Sequence, residues 1–305
     1  MSEKVVVATD GGVAGRAALD WVIDRGRRVP LKIEVVTVEE PDWLSLGGTP
    51  SDYHRGYLNA LADADAYLAH RHGISFVSTA LLSGRPAAEI AGAAQFADLL
   101  VIGSRMTPGA LCAPHSTLAL GLAAHTSTRL VVVPADWKSR TGHIVVGVTD
   151  DEESMGAVRN AAREAALTGR ALMVVHAWSL PAPFSIVDAL LKTTYPRLEA
   201  IHRRVLDDAV SEARRFAPRI DISQRLKFGK STEVLMVAAQ GAGALFLGAH
   251  AKGVVGDLLR GSVSRGMIMA APCPIVVVPT GYEPQNIPTL VDHTSARGKR
   301  EEYVK

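Results

Sequence analysis

Ala244-Leu-Phe-Leu-Gly248, Ala249-His-Ala-Lys-Gly-Val-Val-Gly-Asp-Leu-Leu-Arg260 and Gly261-Ser-Val-Ser-Arg-Gly266 form the stretch from which the fold is read. An apolar run, a glycine-rich loop and a helix start follow one another. Junctions of this kind attract anions, because backbone N–H groups freed by glycines converge with the positive end of a helix. No Gly-Lys-Ser/Thr closes the loop, so it is not a Walker loop. Nor is it a Gly-x-Gly-x-x-Gly dinucleotide fingerprint, which sits in a short turn after a first strand.

Working outward, the surrounding pattern occurs twice. Val5-Val-Val-Ala8 matches Ile144-Val-Val-Gly147, Ala97-Asp-Leu-Leu-Val-Ile-Gly103 matches Ala242-Gly-Ala-Leu-Phe-Leu-Gly248, and Leu130-Val-Val-Val-Pro134 matches Ile275-Val-Val-Val-Pro279. A tandem duplication accounts for all three pairs. The division implied is a first domain over 1–136, a second over 141–280, and a polar tail over 281–305 that reads as mobile.

Each repeat reads as βαβαβαβαβ. In the first, short β-branched strands fall at Lys4–Ala8, Lys32–Val38, Ser75–Leu82, Leu99–Gly103 and Leu130–Val133. Helical spacing covers 11–28, 52–71, a segment from Pro86, and 117–126. In the second, strands fall at His143–Thr149, Ala171–Trp178, Asp221–Phe228, Ala244–Gly248 and Pro274–Val278, and the longest helix spans Thr194–Phe216. Near-continuous apolar strands alternating with helices specify an α/β fold with parallel, doubly wound sheets. Arg197, His202, Arg203, Arg204, Arg214 and Arg215 read as the solvated face of that longest helix.

Composition removes several classes of function. The chain has 305 residues, enough for two cores, with 33 basic and 31 acidic residues and a net charge of +2, so it lacks the basic field of a nucleic-acid binder. Hydrophobic residues make up 48% and charged residues 21%, a soluble balance. No apolar run approaches the ~20 residues of a membrane span, and the start lacks a signal-peptide layout, so a cytoplasmic location is expected. Cys112 and Cys273 read as buried thiols. The ten histidines show no metal-ligand spacing. No Gly-x-Ser-x-Gly elbow occurs.

The opening strand, the glycine loop after strand four, Gly261-Ser-Val-Ser264 and Ala271-Pro-Cys-Pro-Ile-Val-Val-Val278 together resemble the universal stress protein family as a tandem pair. The resemblance implies, in each domain, a five-stranded parallel sheet in the order 3-2-1-4-5. It also implies ATP binding through Gly-x2-Gly-x9-Gly-Ser/Thr, as in one branch of the family.

Carried onto this chain, that pattern puts Gly248 first, Ala251 in place of the second glycine, and Gly261 and Ser262 at its end. Val263 and Ser264 would follow at the phosphates, with Thr149 and Ala177 at neighbouring strand ends. The family's strand-one Asp has no match at Thr149, whereas Asp10 fills that place in the first repeat. Asp10 reads equally well as a helix cap. The first repeat, with Asp10, Val38, Gly103 and Thr117, is the weaker candidate, because Met106, Ser116 and Ala119 depart from the pattern and Pro108 and Pro114 remove donors. Asp150 and Asp151 read first as a solvated helix-entry turn, with Mg2+ binding beside phosphates as the lesser alternative.

The expected function is an adenine-nucleotide-binding regulatory protein with ATP in the second domain. A slow ATPase or phosphotransferase is the alternative, although no residue declares itself as base or γ-phosphate clamp. A nucleotide-free scaffold is a third reading. The resemblance further implies that the fifth strands pair inside one chain as a pseudo-dimer, and it admits a homodimer.

Overall fold

Val5, Val6 and Val7 are all buried, so the strand they form is covered on both faces, as a central parallel strand must be. That strand is β1 (Glu3–Ala8) of a computed structural model that describes residues 2–40, 50–104, 116–179, 188–249, 262–270 and 272–283. It is followed by α1 (Val13–Gly26), β2 (Leu31–Glu39), α2 (Pro50–Leu68), β3 (Ile74–Ser83), α3 (Pro86–Ala93), β4 (Leu99–Ser104), α4 (Ser116–His125) and β5 (Arg129–Pro134). The second half repeats the order with β6 (Ile144–Val148), α5 (Glu152–Thr168), β7 (Leu172–Trp178), α6 (Asp188–Phe216), β8 (Ile222–Phe228), α7 (Ser231–Ala239), β9 (Ala244–Gly248), α8 (Ser262–Ala270) and β10 (Ile275–Val278). No helix among the described residues is long and apolar enough to cross a membrane.

The strand order is β3-β2-β1-β4-β5-β10-β9-β6-β7-β8, which is 3-2-1-4-5 in each half. Pairing is parallel within each half. At the middle, β5 and β10 run antiparallel, with Ile275 opposite Val132 and Val277 opposite Leu130. Two domains thereby form one sheet, and each covers the other's exposed fifth-strand edge. One core layer lies under α1, α2, α5 and α6, with Leu19, Val22, Leu61, Val158 and Leu206 packed on Val5, Val7 and Val146. The other lies under α3, α4, α7 and α8, with Ile90, Leu122, Leu235 and Ile268 packed on Val6 and Val145.

The helix α6 begins at Asp188, earlier than the spacing predicts, and runs through Pro196. The proline reads as a helix start because its N–H is missing. It is exposed, so its ring meets solvent rather than another element.

The seam between the halves also carries buried charge. Arg25 and Glu164 occupy the same position, the thirteenth, of α1 and α5, so the duplication brings them face to face. Arg25 Nη1 donates to both carboxylate oxygens of Glu164 at 2.9 and 3.0 Å, while its Nε and Nη2 donate to Glu3 at 2.5 and 3.1 Å. Arg129 Nη2 donates to Glu3 at 3.1 Å. Identical residues at the shared position would have placed like charges together. Arg opposite Glu turns that repulsion into a charge-assisted ion pair.

Candidate functional site

In the second half a cleft of about 80 Å³ opens at the C-terminal ends of β6, β7 and β9, where a doubly wound sheet places its ligands. Thr149, Ala177, Gly248 and Val263, taken from four separate stretches of sequence, all line it. Their positions follow from local rules. Asp151 caps α5, with one carboxylate oxygen accepting the Ser154 N–H at 2.8 Å and the other accepting the Thr149 hydroxyl at 2.6 Å. The Thr149 N–H in turn donates to Ser154 Oγ at 2.7 Å. On the far wall, Ala249 N–H donates to Val278 at 2.8 Å and Thr280 Oγ1 donates to Ala249 at 2.9 Å, which fixes where the chain leaves β9.

Gly248 has a packing reason to be glycine. A Cβ there would lie 2.8 Å from the Glu153 carbonyl oxygen in the first turn of α5. Its counterpart Gly103 is tighter still, with a Cβ falling 1.9 Å from the Ala14 carbonyl oxygen of α1. Each glycine therefore lets a helix start press against the end of the fourth strand. Ala251 and Gly261 lie outside the described residues, as does the loop over 250–261. Ser262 and Ser264 stand in the first turn of α8, and their side chains lie outside the described set.

The first half has the roomier cleft, about 280 Å³, containing Asp10, Val38 and Gly103 together with Thr9, Thr37 and Glu40. Thr117 is the second residue of α4, with its side chain outside the described set. The α1 N-cap is Gly12, without a side-chain cap, so Asp10 does not cap that helix. Its carboxylate instead accepts the Gly12 N–H at 2.9 Å. The two clefts also differ in one lining residue. The third residue of α1 is Gly15 and the third residue of α5 is Ser154, whose hydroxymethyl group occupies the second cleft. A Cβ at Gly15 would meet Thr9 Oγ1 at 2.2 Å.

A related difference lies behind the second strand of each half. Thr37 Oγ1 donates to the Thr9 carbonyl at 2.7 Å, and in the second half His176 Nδ1 donates to Val148 O at 2.8 Å. Because that carbonyl only accepts, His176 Nδ1 carries a proton, and its Nε2 is hydrogen-bonded to His202 Nδ1 at 2.9 Å. His202 also stacks on Trp178 at 4.8 Å, and Trp178 meets Tyr195 and Phe228 at 4.9 and 5.0 Å. Burial, and then His176, push the His202 pKa down against a smaller opposing pull from Asp150. His202 therefore does not belong with the arginines on the solvated face of α6, whereas Arg197, Arg203, Arg204, Arg214 and Arg215 are exposed as the spacing predicts.

Spacing alone missed Ser154, Ser231 and His176. Asp151-x-x-Ser154 is a capping pattern and offered a signal for the first. A histidine inside Leu172-Met-Val-Val-His-Ala-Trp178 is a polar residue in a strand buried on both faces, which offered a signal for the third. Ser231 had none. Cys273 is buried, and burial pushes its thiol up to about 12. Cys112 lies outside the described residues. No ionisable side chain lines the second cleft among the described residues. No group of three or more metal-ligating side chains occurs among them either.

The model of the Universal stress protein family matches this chain twice, over residues 1–134 and 141–279. A universal stress protein of Mycobacterium tuberculosis is 24% identical over 313 residues, covering 92% of this chain and 96% of that relative. Among solved structures, a universal stress protein from Archaeoglobus fulgidus superposes with a TM-score of 0.67 at 17% identity, over 92% of this chain and 100% of that one. A protein from Pseudomonas aeruginosa, described as functionally unknown, superposes with a TM-score of 0.60 at 15% identity, over 91% and 92%.

Proposed function

The chain belongs to the universal stress protein family, and from that premise we propose that it is an adenine-nucleotide-binding regulatory protein, with ATP held in the second domain. The observation that carries this reading is the convergence of Thr149, Ala177, Gly248 and Val263 on one cleft at the strand ends. The adenosine would lie against Ala177 and Thr149. The phosphates would follow Gly248 toward the start of α8, where unpaired backbone N–H groups and the helix dipole favour negative charge.

Mass spectrometry of ligands released on denaturing the purified protein, together with calorimetric titration with ATP, tests the proposal. The expected result is one adenine nucleotide per chain, with affinity lost in Gly261→Val. A protein that releases no nucleotide and takes up none overturns it. A second reading is favoured by cavity size: the first-domain cleft has more room and holds Asp10. Binding that survives Gly261→Val and fails in Asp10→Ala assigns the nucleotide to the first domain.

A further inference from the structure

A third cavity lies at the other end of the sheet, between the two halves. The end of α1 supplies Asp24, Arg25 and Arg28, the inter-domain link supplies Arg140, and the end of α5 supplies Glu164 with Arg170 just beyond it. Four guanidinium groups thus face two carboxylates. Both acids are already engaged. Glu164 holds Arg25 in an ion pair, and Asp24 accepts Arg28 at 2.5 Å and the Ser139 hydroxyl at 2.8 Å.

Arg170 is left over. Its guanidinium makes one hydrogen bond among the described residues, from Nη2 to the Arg140 carbonyl at 2.6 Å, and it has no carboxylate among them within ion-pair distance. The Arg140 guanidinium likewise makes no hydrogen bond or ion pair among the described residues. Burial, and then the neighbouring Arg28, work against the charge on Arg170, with Glu164 and Asp24 offsetting this only in part. The chain nonetheless makes room for the group: Gly243 lies against it, and a Cβ there would fall 2.0 Å from Arg170 Nη1. Arg170 is thus a partly buried guanidinium without an acid of its own, beside the exposed Arg28 and Arg140, and planar donors of this kind suit halides and oxyanions.

We propose that this cavity is a binding site for one small inorganic anion, held between Arg28 of the first domain and Arg170 of the second, which ties the two halves together at the seam. Size sets the class of ligand. The enclosed space is about 30 Å³. At roughly 10–15 Å³ for each water-sized sphere, that admits a chloride ion, or one phosphate seated at the mouth, and excludes a nucleotide. The site is separate from both clefts, so it stands whether or not nucleotide binds.

Thermal unfolding of the full chain tests this, with titrations of potassium chloride, potassium phosphate and potassium gluconate at constant ionic strength. The expected result is a saturable rise in Tm with chloride or phosphate and none with gluconate. The ion that saturates identifies the ligand. Iodide quenching of Trp21 and Trp137, which also line the cavity, should be competed by the same ion. Arg170→Gln should weaken the half-saturating concentration about tenfold or more, consistent with loss of a charge-assisted bidentate donor. Arg28→Gln, at a more exposed position, carries the test if Arg170→Gln does not fold. A rise that never saturates shows general salt stabilisation and overturns the proposal. A saturable rise retained in both variants places the anion elsewhere, as at the second-domain loop, and also overturns it.

Discussion

Removing Arg25 should show how strongly the buried seam holds the two domains. Burial alone would raise the pKa of Glu3, but Arg25 outweighs that, with Arg129 and Arg163 adding to it, and the carboxyl is held at about 2 against an ordinary 4.5. At about 1.4 kcal/mol per pKa unit, the difference contributes roughly 3 kcal/mol at neutral pH. Because the folded-state value is depressed, this stabilisation is complete above 4.5 and is lost as the pH falls toward 2. Arg25→Gln also strands Glu164, and breaking a buried pair on one side costs about 3–5 kcal/mol. With roughly 2.1 cal/mol/K of unfolding entropy per residue, a chain of this length should melt about 5–8 °C lower at pH 7. At about pH 3 the wild type has already lost over half of the Glu3 contribution, so the gap between the two proteins should narrow by about 2 kcal/mol. Urea and thermal melts at both pH values make the measurement. A drop below about 1 °C at pH 7, or an equal gap at pH 3, would refute the assignment of the seam as an electrostatic joint.

His202 is held below its ordinary value near 6.5, so the fold favours its neutral form, and stability should be complete above that value and decline as the pH falls through it. Urea melts at about pH 7.5 and about pH 5.5 should show this decline in the wild type and a flatter profile in His202→Phe. Gly103→Ala should destabilise more than Gly248→Ala in denaturant melts, because its new methyl group would sit 1.9 Å rather than 2.8 Å from a backbone oxygen. Asp151→Ala removes the acceptor for the Ser154 N–H, and calorimetry should record a loss of about 1–2 kcal/mol. Cys273, buried and with its thiol raised to about 12, should resist alkylation in the native protein and be labelled only after denaturation, as read by peptide mass spectrometry.

Most strands were legible because a parallel strand covered on both faces must be apolar throughout, and Val5-Val-Val-Ala8 and Ile275-Val-Val-Val278 satisfy that rule locally. Comparing one repeat with the other supplied the duplication, and the family resemblance implied the strand order and the residues at the strand ends. Gly103 and Gly248 were read as phosphate-approach positions. Packing against a helix start is a second demand on them, and it became visible only when α1 and α5 were in place. Asp10 looked like a cap by sequence distance, but α1 starts two residues later than that reading needs, so its carboxylate serves the turn.

The chain alone therefore determined a duplicated doubly wound fold, because that depends on periodicity and on glycine and proline placement within short windows. The strand order and the candidate site residues came from the family resemblance. Only the tertiary structure decided which cleft is roomier, and that Ser154 stands in one where the other domain has Gly15. It alone also decided that Arg25, an ordinary helical residue by spacing, is buried against Glu3 and Glu164, and that His202 turns inward onto Trp178. Those outcomes depend on which residues meet across the seam or across a packed helix. Such pairings join positions far apart in the chain, and no local rule of sequence spacing contains them.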